Sequence, residues 1–163
     1  MRMAVAASTR MLAQLERLTA GISALQNRLI LLVGPPRSGK TALLRALGQR
    51  RGVTPLNLGS ALGRELLLLP QRQRRLRTGN ALRELIERQT PEDLLLLDNI
   101  ELLFAAALNL NPLELLRQQA HSRKVIAVWP GELCDGRLTY AEINHPEHCD
   151  YPAQSVVILA VQP

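Results

Sequence analysis

The sequence predicts an α/β fold, a three-layer domain in which a five-stranded, mainly parallel sheet is covered by helices on both faces. Three observations predict it. Short apolar runs recur at 29–33, 94–97, 125–128 (after Lys124, which opens that strand) and 156–161, each the length of a buried strand and rich in aliphatic side chains. The segments between them carry apolar residues at helical spacing and are long enough to cross over, which parallel pairing requires. The 163 residues show no internal repeat, low-complexity tract or linker, so one domain, 1–163, is expected, with 1–27 as an N-terminal helical segment packed on its core.

In chain order, Met11, Leu12, Leu15, Leu18, Ile22 and Leu25 set a helical rhythm that Gly21 interrupts or ends. Residues 29–33 form a strand closing on Gly34. Leu43, Leu44 and Leu47 give the next helix its apolar face, and Gly48 or Gly52 stops it. Residues 55–58 suit a short second strand. Leu58, Leu62, Leu66 and Leu69 then repeat as on a helix that Pro70 ends. Asn80 is placed to cap a further helix bearing Leu82, Leu85 and Ile86, which stops before Pro91. The third strand runs through 94–97 into Asp98, and an apolar helix is expected from 100 to 108. Asn111-Pro112 opens the next helix, with Asn as cap and Pro in the first turn. The fourth strand ends at Trp129-Pro130-Gly131, residues 133–151 read as irregular, and 156–161 is the fifth strand.

Composition narrows the class. An apolar content of 47 % with moderate charge belongs to a folded globular chain, and no apolar run approaches the length of a membrane span. Arg2 precedes only five apolar residues before Ser8, which is not a secretory leader, so a cytoplasmic location is expected. Cys134 and Cys149 read as two free thiols rather than a disulfide framework. Charge is strongly polarised. Residues 1–88 hold 16 Lys and Arg against 4 acids, a net of +12, and residues 89–163 hold 4 against 10, a net of −6. That division suits a polyanion or a head-to-tail contact between copies, without choosing between them.

Gly34-Pro35-Pro36-Arg37-Ser38-Gly39-Lys40-Thr41 satisfies G-x4-G-K-[S/T] in full, after a predicted strand and before a predicted helix. In this pattern glycine lets the backbone turn so that successive amides point at a β-phosphate, and the helix N-terminus adds its partial positive charge. Lys40 would reach the β- and γ-phosphates, and the Thr41 hydroxyl would ligate Mg²⁺. Arg37 takes a place where a further glycine is common, with its side chain turned outward. The motif makes the predicted sheet that of a P-loop NTPase binding ATP and Mg²⁺.

The run 94–97 ending in Asp98 has the form of a Walker B strand, and Asp98 would hold Mg²⁺ through water. A base is needed to take a proton from an attacking water. Asn99, directly after Asp98, positions water but takes no proton, and Glu101 is the nearest acid. Glu101 serves equally as a plain helix-start acid. An arginine lent by a neighbouring copy is a further requirement of ring-forming ATPases. Arg137, past the C-terminal end of the fourth strand, is better placed for it than Arg123, although a surface arginine is the default.

Arg72, Arg74, Arg75 and Arg77 cluster between two predicted helices, either as a solvated connection or as a phosphate-contacting patch for DNA or RNA. With one Phe, one Trp and two Tyr in the chain, stacking on bases is disfavoured, so such binding would be backbone-led and salt-sensitive. His145, His148, Cys149 and Cys134 raise zinc, but their spacing matches no standard finger, and an ordered, metal-free loop is favoured.

Cradle, metal-side strand, one intervening strand and a later acid together resemble the additional-strand ATPases, AAA+ proteins among them. Two departures stand out. The sequence ends just past its fifth strand, without the C-terminal helical lid, which leaves the N-terminal segment as the expected wall for adenine. Trp129 also occupies the place of a polar γ-phosphate sensor. A fuller likeness is to the BrxF family, small P-loop proteins of type 3 BREX bacteriophage-exclusion systems. It is carried by the cradle, Leu56-Asn57-Leu58, residues 94–104, Trp129-Pro130-Gly131, residues 135–142, His145-Pro146-Glu147 and Tyr151-Pro152. The resemblance implies a role in bacterial antiviral defence beside other proteins of that system.

Two functions from different classes follow. One is an ATP-hydrolysing assembly factor whose nucleotide state sets a homo-oligomer, a ring among its forms, that binds DNA through the basic half. The other is a nucleotide-gated scaffold with little turnover, favoured by Asn99 and the absent lid. A small-molecule kinase lacks an acceptor signature, and a GTPase lacks the N-K-x-D motif.

Overall fold

The computed structural model describes residues 2–25, 27–89, 93–154 and 156–162, with side chains from residue 8 onward. In chain order its elements are α1 (Arg2–Gly21), β1 (Leu29–Val33), α2 (Lys40–Arg51), β2 (Leu56–Asn57), α3 (Leu58–Leu67), α4 (Gln71–Gln89), β3 (Leu94–Asp98), α5 (Pro112–Ala120), β4 (Lys124–Val128), β5 (Glu132–Cys134), β6 (Arg137–Tyr140), β7 (Cys149–Pro152) and β8 (Val157–Ala160). Five strands form an all-parallel sheet in the order β2-β3-β4-β1-β8.

Side-chain alternation builds both outer layers. On one face Ile30, Leu32, Leu94, Leu96, Ile126 and Val128 meet Leu43, Leu44 and Leu47 of α2 and Leu15 of α1. On the other, Leu29, Leu31, Leu95, Leu97 and Val125 meet Leu58 and Leu62 of α3, Leu85 of α4 and Leu116 of α5. A strand covered on both sides has no polar position, which is why β1 is five aliphatic residues, all buried. The N-terminal helix is fixed to the core by Leu15 and Ile22 and by an ion pair of Glu16 with Arg50 at 3.0 Å. No helix among the described residues is long and apolar enough to cross a membrane.

Helix starts follow their caps. Asn57 Oδ1 accepts from the amide of Ser60, and Asn111 Oδ1 accepts from that of Glu114, each at 3.1 Å. Three expectations are corrected. The arginines at 72–77 lie within α4, not in a connection, because α4 starts directly after Pro70. Asn80 is consequently mid-helix and caps nothing. The expected stop before Pro91 falls at residues 90–92, outside those described. The apolar stretch 100–108 is two 3₁₀ turns, Ile100–Phe104 and Ala106–Leu108, because Asn99 and Asn109 are left-handed and Ala105 is extended.

The third correction matters most for the site. Residues 133–151 are a second sheet, antiparallel, in the order β5-β6-β7. Its hairpin turns on Asp135-Gly136, both with positive φ (51° and 73°), as a two-residue type I′ turn demands. Leu138, fully buried, anchors it to the core, and Trp129 Nε1 donates to the Thr139 carbonyl at 3.1 Å. Gly131 lies so close beneath β6 that an added Cβ would stand 1.7 Å from that same carbonyl oxygen. Gly131→Ala is therefore expected to destabilise the protein by about 2–3 kcal/mol in urea unfolding, through displacement of the small sheet.

Candidate functional site

The cradle follows β1, the strand inside the sheet that has β4 on one side and β8 on the other. Gly34 leaves the strand where an added Cβ would meet the Val161 carbonyl oxygen at 2.2 Å, so no other residue fits. Arg37 is left-handed (φ 63°) and exposed, its guanidinium turned outward as its position in the loop requires. Gly39 is left-handed too (φ 97°), and α2 starts at the next residue. The Ser38 hydroxyl is buried in this turn without a hydrogen-bond partner among the described residues.

Lys40 is the centre of the arrangement. Its ammonium donates to the Gly34 carbonyl at 2.6 Å and to the Trp129 carbonyl at 3.3 Å, joining the ends of β1 and β4. Burial pulls its pKa below the ordinary 10.5, while the negative charges of Glu101 and Asp98 pull the other way. The charge of both acids therefore reaches the lysine. Asp98 ends β3 half-buried and accepts from the Asn99 amide at 2.8 Å; Glu101 is exposed on the first 3₁₀ turn. Asn99 is exposed and left-handed, with its carbonyl accepting from the Gly59 amide at 2.9 Å. As expected, one strand, β4, separates the cradle strand from the Asp98 strand.

These residues fit a nucleotide triphosphate with Mg²⁺. The orphaned Ser38 hydroxyl, the inward-held Lys40 ammonium and the flanking carboxylates are a donor set for phosphate with an acceptor set for a cation. Thr41, half-buried in the first turn of α2, is the hydroxyl beside them.

A wide cleft of about 880 Å³ adjoins the cradle. Gly34 and Pro36 form one wall. The small sheet and its loop supply the rest, among them Glu132, Thr139, Tyr140, Glu142 and His148. Sequence reasoning missed this wall. Its signal was present: Asp135-Gly136 between Leu133 and Leu138 is a hairpin pattern. Behind it, Phe104 packs edge-on against Trp129 with centroids 5.2 Å apart, Tyr140 lies 4.1 Å from Phe104, and Tyr151 lies 6.4 Å from Trp129. Burial raises the Tyr140 and Tyr151 hydroxyl pKa values above their usual range.

The remaining candidates make other contacts, although Cys134, His145 and His148 also line the cleft. Arg137 pairs with Asp150 of β7 at 2.6 Å and is half exposed. Arg74 Nε donates to the Leu66 and Leu69 carbonyls, closing the end of α3, whereas Arg72, Arg75 and Arg77 are exposed. His145 Nδ1 accepts from the Glu147 amide, and His148 Nδ1 donates to the Ala141 carbonyl, so both rings serve the loop's own backbone. Cys134 and Cys149 are free thiols.

No protein-family model and no curated protein matches the chain. Among solved structures it is similar to one titled "Structure of C. elegans PCH-2", at 16 % identity and a TM-score of 0.38. That similarity covers 94 % of this chain and 41 % of the other, and at this level it bears on neither fold nor function.

Two outcomes are expected from the geometry. Arg37→Gly removes a side chain from a left-handed position and raises stability by about 0.5–1 kcal/mol in denaturant unfolding. Phosphate beside Lys40 restores its pKa upward, so triphosphate binding above neutral pH takes up protons. Calorimetry in two buffers of different ionisation enthalpy measures that uptake, and Lys40→Ala abolishes it.

Proposed function

We propose that this chain binds ATP with Mg²⁺ and hydrolyses it slowly, and that nucleotide controls its self-association. The observation that carries the reading is the Lys40 ammonium, held on the Gly34 carbonyl in the turn of a complete G-x4-G-K-T loop, with Asp98 at the end of the strand β3 on the same edge of the sheet. In this reading the loop amides of residues 35–40 and the Lys40 ammonium bind the phosphates. Thr41 and Asp98 hold the metal, which when bound screens the phosphate charge. Asn99 orients water, and Glu101 accepts its proton. Arg137 is proposed to act on a neighbouring copy's site once released from Asp150.

DNA as a partner belongs to the same proposal. Arg72, Arg75 and Arg77 are exposed on the first turns of α4, in the half of the chain with net charge +12, and would contact backbone phosphates without reading sequence. The likeness to the BrxF family supports a place in bacterial antiphage defence of the BREX type, alongside that system's other proteins.

A scaffold with little turnover is the second reading. It is favoured by Asn99, which fills the position after the metal-side aspartate and cannot take a proton.

Calorimetric titration with ATP·Mg²⁺ tests the nucleotide site. Lys40→Ala is expected to weaken binding at least about 100-fold while the protein stays folded. Absence of binding to folded wild type at millimolar nucleotide would end the proposal. Glu101→Gln separates the two readings in single-turnover assays with DNA present. A fall of about 10²–10⁴-fold at unchanged affinity assigns it as base, whereas unchanged slow turnover favours the scaffold.

A further inference from the structure

Two surfaces mirror each other, one clear of the cradle and one on the loop that also walls the cleft beside it. The first is a groove of about 570 Å³ between α3, the start of α4 and the two 3₁₀ turns after Asp98. Its lining is apolar, with Leu66, Leu67, Leu102, Ala105 and Leu108, and its rim carries Arg64 and Arg75. Beside it, at the elbow between the helices, Leu68 and Leu76 are 83 % and 82 % exposed. Residues 60–77 hold five arginines and one acid.

The second surface is the loop 141–148, which joins β6 to β7. It projects Ile143, 82 % exposed, next to Glu142. The loop is pinned by its own bonds: the His145 amide to the Glu142 carbonyl at 2.9 Å, the His148 amide to the His145 carbonyl at 3.0 Å, and His148 Nδ1 to the Ala141 carbonyl. A side chain presented on an ordered loop loses little freedom on docking. Residues 132–150 hold five acids and one arginine, the inverse of the groove segment.

We infer that the groove receives the Ile143 loop of a second copy of this chain. Solvent-exposed leucines among arginines are the composition of a protein interface, whereas a surface that meets only DNA phosphates has no use for them. The occupant must offer an apolar tip within an acidic surround, and the loop has both. Groove and loop are different surfaces of one molecule, so the contact is heterologous: each copy gives a loop and accepts one, generating a ring or a filament. The floor residues Leu102 and Ala105 follow Glu101 closely, and the loop walls the cleft beside Gly34 and Pro36. The contact thus joins the cleft of one copy to the metal-side segment of the next. The inference rests on the self-association part of the function proposed above, not on hydrolysis.

Sedimentation velocity on the full chain tests it with two variants, Arg64→Glu/Arg75→Glu for the groove and Ile143→Arg for the loop. All of these side chains are exposed, and circular dichroism checks that each variant folds. Wild type is expected to assemble with rising concentration, and each variant alone to associate at least about tenfold more weakly. An equimolar mixture retains one working loop and one working groove, so it is expected to form dimers and nothing larger. Wild type that stays monomeric with and without ATP·Mg²⁺, variants that assemble like wild type, or a mixture that stays monomeric would each overturn the inference. So would a groove variant that loses only its affinity for a DNA duplex. Calorimetry with ATP·Mg²⁺ on the same samples keeps the two proposals separate. Wild type that assembles as described but binds no nucleotide supports this contact and removes the nucleotide site.

Discussion

The hydrogen bonds from the Lys40 ammonium to the Gly34 and Trp129 carbonyls bind the site into one piece. A half-buried cation gains from being satisfied, and here its acceptors are carbonyls just past the ends of two neighbouring strands. That places the loop over the C-terminal edge of the sheet, where Asp98 also emerges. Everything that faces the cleft is oriented by this edge. The cradle hangs from β1, the Asp98 carboxylate from β3, and the small sheet from the end of β4. The lysine touches the first and last of these directly, and feels the charge of the second.

Backbone strain gathers at the same place. Of the non-glycine residues described with left-handed backbone, Arg37 is in the cradle, Asn99 follows the metal-side aspartate, and Ala141 starts the loop that walls the cleft. Such conformations cost of order a kilocalorie each and persist where surrounding structure over-determines them. Here the determinants are visible. The Asn99 carbonyl is held by the Gly59 amide, and the Ala141 carbonyl by His148. The tight approach at Gly131 fixes the second sheet in the same way, by leaving no room for an alternative.

Legibility in the sequence followed burial. Strands covered on both faces have no choice of composition, so the runs at β1, β3 and β4 were readable, as was the G-x4-G-K-T loop, whose glycines are forced by backbone geometry; β8, at the sheet edge and only partly buried, was readable from its unbroken apolar run. Elements exposed on one side were not. The strand β5 is exposed throughout and β7 alternates half-buried with exposed, so neither has an apolar run to announce it; only the Asp-Gly turn between β5 and β6 did. The start of α4 was missed because four arginines in six residues look like solvated chain, although Thr78 and Leu82 bury one face of that helix. Helix at 100–108 was expected from apolarity alone. The left-handed asparagines at each end, invisible to periodicity, divide it into 3₁₀ turns. The strand positions of the G-x4-G-K-T loop and of Asp98 were legible by motif, whereas the hydrogen bond from Lys40 to the Trp129 carbonyl was not, since a main-chain acceptor leaves no mark in residue type.

The aromatic cluster has a practical consequence. The chain contains one tryptophan, two tyrosines and one phenylalanine, and all four form one cluster at the cleft, with Tyr140 in its wall. Trp129 is fully buried, its indole hydrogen-bonded to β6 and its carbonyl to the loop lysine. The protein's near-ultraviolet absorption and emission therefore come from a single locality. An optical signal excited at the red edge of that band arises from the indole of one residue, native and unlabelled, whose own main-chain carbonyl accepts a hydrogen bond from the Lys40 ammonium.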